Sequence, residues 1–377
     1  MSDVLRIVVA GGGTGGHVYP GLAVVERLGE RLTTHALFVG TRGGVEESIL
    51  SRAGCDYRLL PGYGLRRAST ARKVASPLML AVGVARACKV LSQFRPDVVL
   101  GTGGYASAAV VVASIALRIP RVLQEQNSVP GLVNRRLARH ADLVLLGYEE
   151  SRAGLAPGVR TLVVGNPLRR MPTPSRAEAA TYFGLDPTRE TVLIVGGSRG
   201  AHSLNIAGAD AAARLAPRGV QFVILCGVAD RADVTQRTAG VASRVRVLDY
   251  LDEMHFAYAL CDLAIARSGA SSVFELALFG VPAVFVPYPY AADAHQESNA
   301  APLVRAGGAV LVRDAELSGE RLTAEIEALL ASPERRDAMS HAMRAWSTPD
   351  AAGRAADAIL TVAKKKEYAA LTERLAA

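Results

Sequence analysis

A chain of 377 residues, half of them hydrophobic but only 5% aromatic, can bury more than one core, and its many glycines and alanines suit close-packed helices against aliphatic strands. Lys and Arg outnumber Asp and Glu by 43 to 35, a formal charge of +8. The four cysteines, Cys55, Cys88, Cys226 and Cys261, stand far apart without a Cys-x-x-Cys pair or clustered histidines, which argues against a metal site and predicts free, buried thiols in a reducing cytosol.

Met1 leads through Ser2 and Asp3 directly into the apolar run Val4 to Val9, a start that predicts a protein that is not exported. Apolar β-branched segments then alternate with longer helical patterns. The first series places strands at Arg6 to Ala10, Ala36 to Val39, Val98 to Leu100, Arg121 to Leu123 and Leu143 to Leu146. The second begins near Thr161 to Val164 and continues at Thr191 to Val195, Gln221 to Leu225, Val245 to Leu248, Leu263 to Ala266, Ala283 to Val286 and Ala309 to Val312. Strands separated by helices predict parallel βαβ units, whose ligands bind beyond the carboxyl ends of the strands.

Between Asp56 and Asp97 there are eight basic residues (Arg58, Arg66, Arg67, Arg72, Lys73, Arg86, Lys89 and Arg95) and no acidic one, beside the apolar run Pro77 to Ala85. That mixture suits an anionic bilayer surface, and equally a solvated basic face over a core helix. Lacking interleaved aromatics, it argues against a nucleic-acid partner. The longest apolar stretch, Ala106 to Leu117, falls short of the ~20 residues that a membrane span needs and reads as a buried helix.

Prolines and a glycine from Gly165 to Pro174 predict the hinge, and beyond Leu317 the pattern is helical apart from a break at Ser347-Thr348-Pro349, with Lys364-Lys365-Lys366 near the end. The fold class is α/β, two Rossmann-like parallel-sheet domains facing a cleft. The domains expected are residues 1–165, residues 166–345, and a C-terminal helix within 346–377 able to pack back on the first domain.

Chemistry gathers in the loops. Gly11 to Gly16 with His17, and Gly196-Gly197-Ser198-Arg199-Gly200-Ala201, each follow a strand and open a helix, so that backbone N–H groups and the positive end of a helix dipole converge on one anion-sized spot. Gly11, Gly13 and Gly16 also satisfy the dinucleotide fingerprint, which admits an NADP-dependent oxidoreductase. The next strand nevertheless ends in Gly40-Thr41-Arg42, without the acidic residue that the ribose of NAD requires. His17, at the helix start, is a candidate proton acceptor because the dipole favours a neutral imidazole there; the plainer alternative is a histidine bonded to a neighbouring carbonyl.

Gly101 to Ser107 makes a further glycine loop, which a separate acceptor diphosphate would explain. Gln124-Glu125-Gln126-Asn127-Ser128 sets polar side chains directly behind a strand, where they suit a sugar or, with Pro130-Gly131, a surface turn. In the second half, Ala266 to Pro282 reads as strand end, small-residue turn and helix. Ser272 and Glu275 fit a capping box there; alternatively the Ser271 and Ser272 amides meet a diphosphate while Glu275 accepts from both hydroxyls of a ribose. No Asp-x-Asp pair is present, so neither a metal nor a cofactor is expected.

Together these segments resemble the MurG family, the N-acetylglucosaminyltransferases that complete the lipid-linked peptidoglycan precursor. The resemblance is carried by Gly12 to Ala23, Gly103 to Ser107, Glu125-Gln126-Asn127, Gly165-Asn166-Pro167-Leu168-Arg169, Gly196 to Ala201, Arg267 to Ala270, and Asp293 with Gln296 and Asn299. It implies a GT-B enzyme that moves N-acetylglucosamine, with inversion, from UDP-N-acetylglucosamine (UDP-GlcNAc) to the 4-hydroxyl of the muramyl unit of undecaprenyl-diphosphate-linked MurNAc-pentapeptide. It also implies a peripheral enzyme at the cytoplasmic face of the cell membrane. By position in the family pattern, Arg169, Ser198, Leu251, Ala270, Ser271, Ser272, Val273, Phe274 and Glu275 hold the uridine and diphosphate, and Thr14, Gly15, Gly16, Asn127 and Gln296 meet the sugar and phosphates. His17 is then the first candidate base and Glu125 the second. The family often has histidine where Gln124 stands, so that position carries no proton-transfer role here, and the loop Tyr288 to Ala292 departs from the family pattern. A UDP-GlcNAc 2-epimerase of the same fold and a non-catalytic nucleotide-sugar sensor are the remaining alternatives.

Overall fold

The structure is a computed structural model, described over residues 4–61, 76–196, 201–290 and 295–363. Two compact units divide the chain: one runs to Arg170 and resumes at Asp350, the other is Met171–Pro349. The basic residues Arg66, Arg67, Arg72 and Lys73 and the segment Lys364 to Lys366 lie outside the described residues.

The first unit contains, in order, β1 (Val4–Gly11), α1 (Gly15–Gly29), β2 (Thr33–Thr41), α2 (Val45–Arg52), β3 (Tyr57–Leu60), α3 (Ser76–Phe94), β4 (Val98–Gly103), α4 (Gly104–Ala116), β5 (Arg121–Glu125), α5 (Leu132–Leu137), β6 (Leu143–Leu146) and β7 (Thr161–Val163). Its strands are all parallel, in the order β3-β2-β1-β4-β5-β6-β7. β4 and β6 are buried along their whole length, as strands must be when helices cover both faces of a sheet.

Three features depart from the sequence reading. β3 is an added edge strand: Arg58 is exposed and Leu60 alone of its four residues is fully buried, so it lacks the apolar run that marks the central strands. Thr161–Val163 pairs with β6 and closes the first sheet instead of opening the second. Gly101 to Ser107 is not a free loop, because β4 continues to Gly103 and α4 starts at Gly104.

The chain returns to the first unit as α14 (Ala351–Val362), numbered after the helices of the second unit. Ala355, Ala356, Ala358, Ile359 and Leu360 of α14 are fully buried in the same core as Val18 and Leu28 of α1. Burying Ile359 and Leu360 contributes roughly 1.5–3 kcal/mol each. Asp357 of α14 pairs with Arg31, and the Arg354 guanidinium donates to the Val163 carbonyl at 3.0 Å.

The second unit runs α6 (Arg176–Phe183), β8 (Thr191–Val195), α7 (His202–Leu215), β9 (Gln221–Leu225), α8 (Gly227–Arg237), β10 (Val245–Leu248), α9 (Met254–Leu260), β11 (Leu263–Ala266), α10 (Ala270–Phe279), β12 (Ala283–Phe285), α11 (His295–Arg305), β13 (Ala309–Leu311), α12 (Gly319–Leu330) and α13 (Pro333–Trp346). Its parallel sheet has the order β10-β9-β8-β11-β12-β13. In both sheets the order reverses beside the unit's first strand, between β1 and β4 and between β8 and β11. Ligands of doubly wound sheets bind at such switch points, where neighbouring loops diverge. Both glycine turns of the sequence follow those first strands.

No helix among the described residues is long and apolar enough to cross a membrane. All four cysteines are free; Cys226 and Cys261 are buried, but Cys55 and Cys88 are only partly covered, which corrects the expectation of four buried thiols.

Candidate active site

In the first unit the switch point is built from glycine contacts. Gly11 of β1 stands in register with Gly103 of β4, and a Cβ on Gly104 would overlap the Gly12 carbonyl, so the two glycine segments close on each other as one site. Gly104 also has φ +84°, a conformation that favours glycine. Thr102 adds a second tie, donating its hydroxyl to the His17 carbonyl at 2.6 Å. Thr14 precedes α1 without giving a side-chain cap, so no side chain claims the N–H groups of the Gly15-Gly16 turn as a cap.

His17 lies in the first turn of α1, with its ring against Gly103 and its Nδ1 2.8 Å from the Gly12 carbonyl oxygen. A carbonyl only accepts, so Nδ1 carries the proton, and in the neutral ring the lone pair is then on Nε2. The bond to a neighbouring carbonyl, the plainer reading of His17, is present, and in the neutral ring it leaves Nε2 without a proton.

Glu125, the second base candidate, has both carboxyl oxygens engaged. Its Oε1 accepts from the Asn127 backbone (3.0 Å) and side chain (3.3 Å), and its Oε2 from the Gly131 backbone and the Asn134 amide, both at 2.9 Å. With the side chain 2% exposed and both oxygens engaged, Glu125 shapes the polar loop around Asn127. Ser151 donates to the Asn127 carbonyl at 2.8 Å, and Gln126 donates to Thr102 at 2.9 Å, which joins this loop to the glycine site.

In the second unit α10 begins at Ala270, with Gly269 in the capping position and no side-chain cap bond. Ser272 is therefore the third helical residue and Glu275 lies a turn deeper, which rules out the expected capping box; a true capping box forms instead at Ser175 and Glu178 before α6. Ala270, Val273 and Phe274 turn their side chains into the core, Phe274 against Trp346, so that only their backbone can serve a ligand. Ser271 and Ser272 are half-buried at the open end of the helix. Glu275 accepts a 2.6 Å bond from the Tyr258 hydroxyl. Burial pushes its carboxyl up to about 7, against the lowering effect of that bond.

Around these helices a buried cation fixes the loop ends. Arg267 pairs with Asp314 at 2.6 Å and donates to the carbonyls of Val286 and Pro287 and to the Ser203 hydroxyl. Asn299 donates to the Ser268 carbonyl, and Gln296 accepts from the Tyr288 backbone at 2.8 Å. Leu251 is in the core beside Tyr258, leaving its backbone as the part able to meet a base. Arg169 is exposed past β7 in the first unit, near enough to Cys55 to act on its thiol. Ser198 and Asp293 lie outside the described residues.

Sequence reasoning missed Glu46, Asn134, Tyr258 and Asp314. Glu46 carried a signal in hindsight: an acidic residue two positions after Gly44 and six after Gly40 has small residues leading up to it. The Ser268 hydroxyl and both ends of the Asn166 amide are buried with no partner among the described residues, the state of groups that ordinarily meet water or a ligand.

Residues 7–146 match the glycosyltransferase family 28 N-terminal domain and residues 191–355 its C-terminal domain. The crystal structure of Acinetobacter baumannii MurG is similar at 27% identity and TM-score 0.75, with 95% of this chain and 99% of that one covered. A UDP-N-acetylglucosamine 2-epimerase is similar at TM-score 0.67 but 16% identity, a likeness of fold alone. The UDP-N-acetylglucosamine–N-acetylmuramyl-(pentapeptide) pyrophosphoryl-undecaprenol N-acetylglucosamine transferase of Halalkalibacterium halodurans is 36% identical over 96% of this chain and all of its own length. A likeness of that extent, on two parallel-sheet units of doubly wound order, shows that the chain belongs to this transferase family, the MurG family of GT-B glycosyltransferases.

Proposed function

We propose that this enzyme transfers N-acetylglucosamine from UDP-GlcNAc to the 4-hydroxyl of a muramyl unit carried on undecaprenyl diphosphate, with inversion at the anomeric carbon. The loops of the first unit hold the acceptor and those of the second the nucleotide. The acceptor hydroxyl oxygen bonds to the anomeric carbon as the bond from that carbon to the diphosphate oxygen breaks; the hydroxyl proton goes to His17 Nε2 and UDP leaves with the electron pair. A positioned base supplies typically ~10²- to 10⁴-fold. The uncapped start of α10 stabilises the charge that grows on UDP. The observation that carries this reading is the 2.8 Å bond from His17 Nδ1 to Gly12, which leaves Nε2 to collect the proton.

The test is UDP release measured with and without a lipid-linked muramyl acceptor. Release only in the presence of acceptor supports the transferase. Conversion of UDP-GlcNAc alone to its manno epimer would replace it with the epimerase, and donor binding without turnover would leave only a sensor.

A lipid-linked acceptor also calls for a membrane surface, and we place that contact on α3. Leu78, 71% exposed, and Val82 share a helical face with exposed Arg86 and Lys89, apolar groups to enter the lipid boundary and cations to meet anionic headgroups. Sedimentation with vesicles should show binding that rises with anionic lipid and falls in Leu78→Asp; binding indifferent to lipid charge removes the proposal.

A further inference from the structure

Glu46 has no part in the transfer chemistry, yet it is fully buried and surrounded by glycine. Its Oε1 accepts from the Thr41 backbone at 2.8 Å and the Thr41 hydroxyl at 2.5 Å, and its Oε2 accepts from the Gly13 backbone at 2.9 Å. A Cβ on Gly12, Gly40 or Gly44 would overlap this side chain, so three glycines from three segments clear its pocket. A carboxylate taken out of water needs its acceptors filled. Here it spends one oxygen on a single peptide of the glycine turn.

That peptide joins Gly12 to Gly13, and it is gripped at both ends. Its N–H donates to Glu46, and its carbonyl accepts from His17 Nδ1 at 2.8 Å. Negative charge at the N–H end of a peptide polarises the group and makes its carbonyl oxygen a stronger acceptor. From this geometry we infer that Glu46 is a positioning residue for His17, acting through the Gly12–Gly13 peptide. It holds the imidazole proton on Nδ1, keeps the lone pair on Nε2, and steadies the charge that the ring gains when it takes the acceptor proton. No proton travels to Glu46; the Nδ1 proton stays on the ring and the new one stays on Nε2 until product release. A carboxylate bonded directly behind a histidine does the same work in hydrolytic triads; here one peptide stands between them. The inference rests on the reading of His17 as the base.

The test joins NMR with kinetics on the full chain. In the wild-type protein, ¹⁵N-histidine spectra near neutral pH, with His17 identified by its loss in His17→Gln, should show the proton on Nδ1 and Nε2 bare; a proton on Nε2 overturns the inference without any variant. Glu46→Gln cannot accept at both Gly13 and Thr41, and is expected to mix the two tautomers and lower kcat roughly 10- to 100-fold, the range for second-layer partners of a reactive histidine. Its KM for UDP-GlcNAc should stay within about threefold, because the uridine is held by the other unit and Glu46 touches none of Thr14, Gly15 and Gly16. A folded Glu46→Gln with wild-type kcat, with an unchanged tautomer, or with its loss confined to KM overturns the relay and leaves a brace for the loop. Should that variant not fold, the wild-type spectrum still decides. His17→Ala separates the two readings: an inactive His17→Ala beside a fully active Glu46→Gln keeps the base and removes the relay, whereas an active His17→Ala removes the base itself.

Discussion

The Tyr258 hydroxyl donates to Glu275 Oε2 at 2.6 Å, a bond that spans 17 residues of sequence and joins α9 to α10 at the end of the helix where a nucleotide is proposed to sit. The phenol occupies one carboxyl oxygen, while burial holds the carboxyl up to about 7. Both facts give this residue a titration that can be followed.

A ribose diol donating to Glu275 favours its charged form, so binding of UDP-GlcNAc near pH 6.5 should release a proton and tighten as pH rises through about 7. Calorimetry in buffers of different ionisation enthalpy measures the release, and Glu275→Gln should abolish it. The stability sign is opposite. Ordinarily the group titrates near 4.5, and its raised value in the fold means that the protonated form stabilises; the contribution is complete below pH ~4.5 and lost by pH ~7 and above. Glu275→Gln should therefore remove a fall in stability across that window of at most about 3 kcal/mol, read from denaturant midpoints at several pH values.

His17→Ala is expected to lower kcat by ~10²- to 10⁴-fold while leaving the thermal midpoint and the KM for UDP-GlcNAc close to wild type, because only the acid–base step loses its partner. Steady-state assay of UDP release checks it; near-normal turnover would falsify the assignment.

Glu125→Gln replaces an oxygen that accepts two N–H groups by an amide NH2 that accepts none, leaving buried donors unpaired at about 1–3 kcal/mol. Since Glu125 orders the loop of Asn127, which the family pattern sets against the donor's sugar, the KM for UDP-GlcNAc should rise more than that for the muramyl acceptor. Equal effects on both, or a drop in kcat alone, would speak for a direct chemical role instead.

Gly104→Ala places a methyl group on the Gly12 carbonyl at a residue with φ +84°. Strain of order 1–3 kcal/mol, with displacement of the glycine turn, should cost both stability and turnover. Gly43→Ala is the comparison: φ is +70° there but the space is open, so stability should fall with less loss of activity.

Much of this protein is written locally. Apolar β-branched runs between helical patterns determine parallel βαβ units, and a glycine turn after β1 determines where N–H groups converge, because strand period and turn chemistry depend on residues a few positions apart. The likeness of Gly12 to Ala23 and of Arg267 to Ala270 to one family was legible for the same reason. Tertiary structure decided the rest. The sheet that Thr161–Val163 joins follows from pairing with β6, the burial of Ile359 follows from a return of the chain to α1, and the partners of Glu275 and Glu46 follow from the packing of neighbouring elements. Glu46 and Gly13 are 33 residues apart, and no local pattern encodes that meeting. Only the parallel register of β1 with β2 brings the head of α2 beside the glycine turn. That register gives a buried carboxylate a peptide to hold.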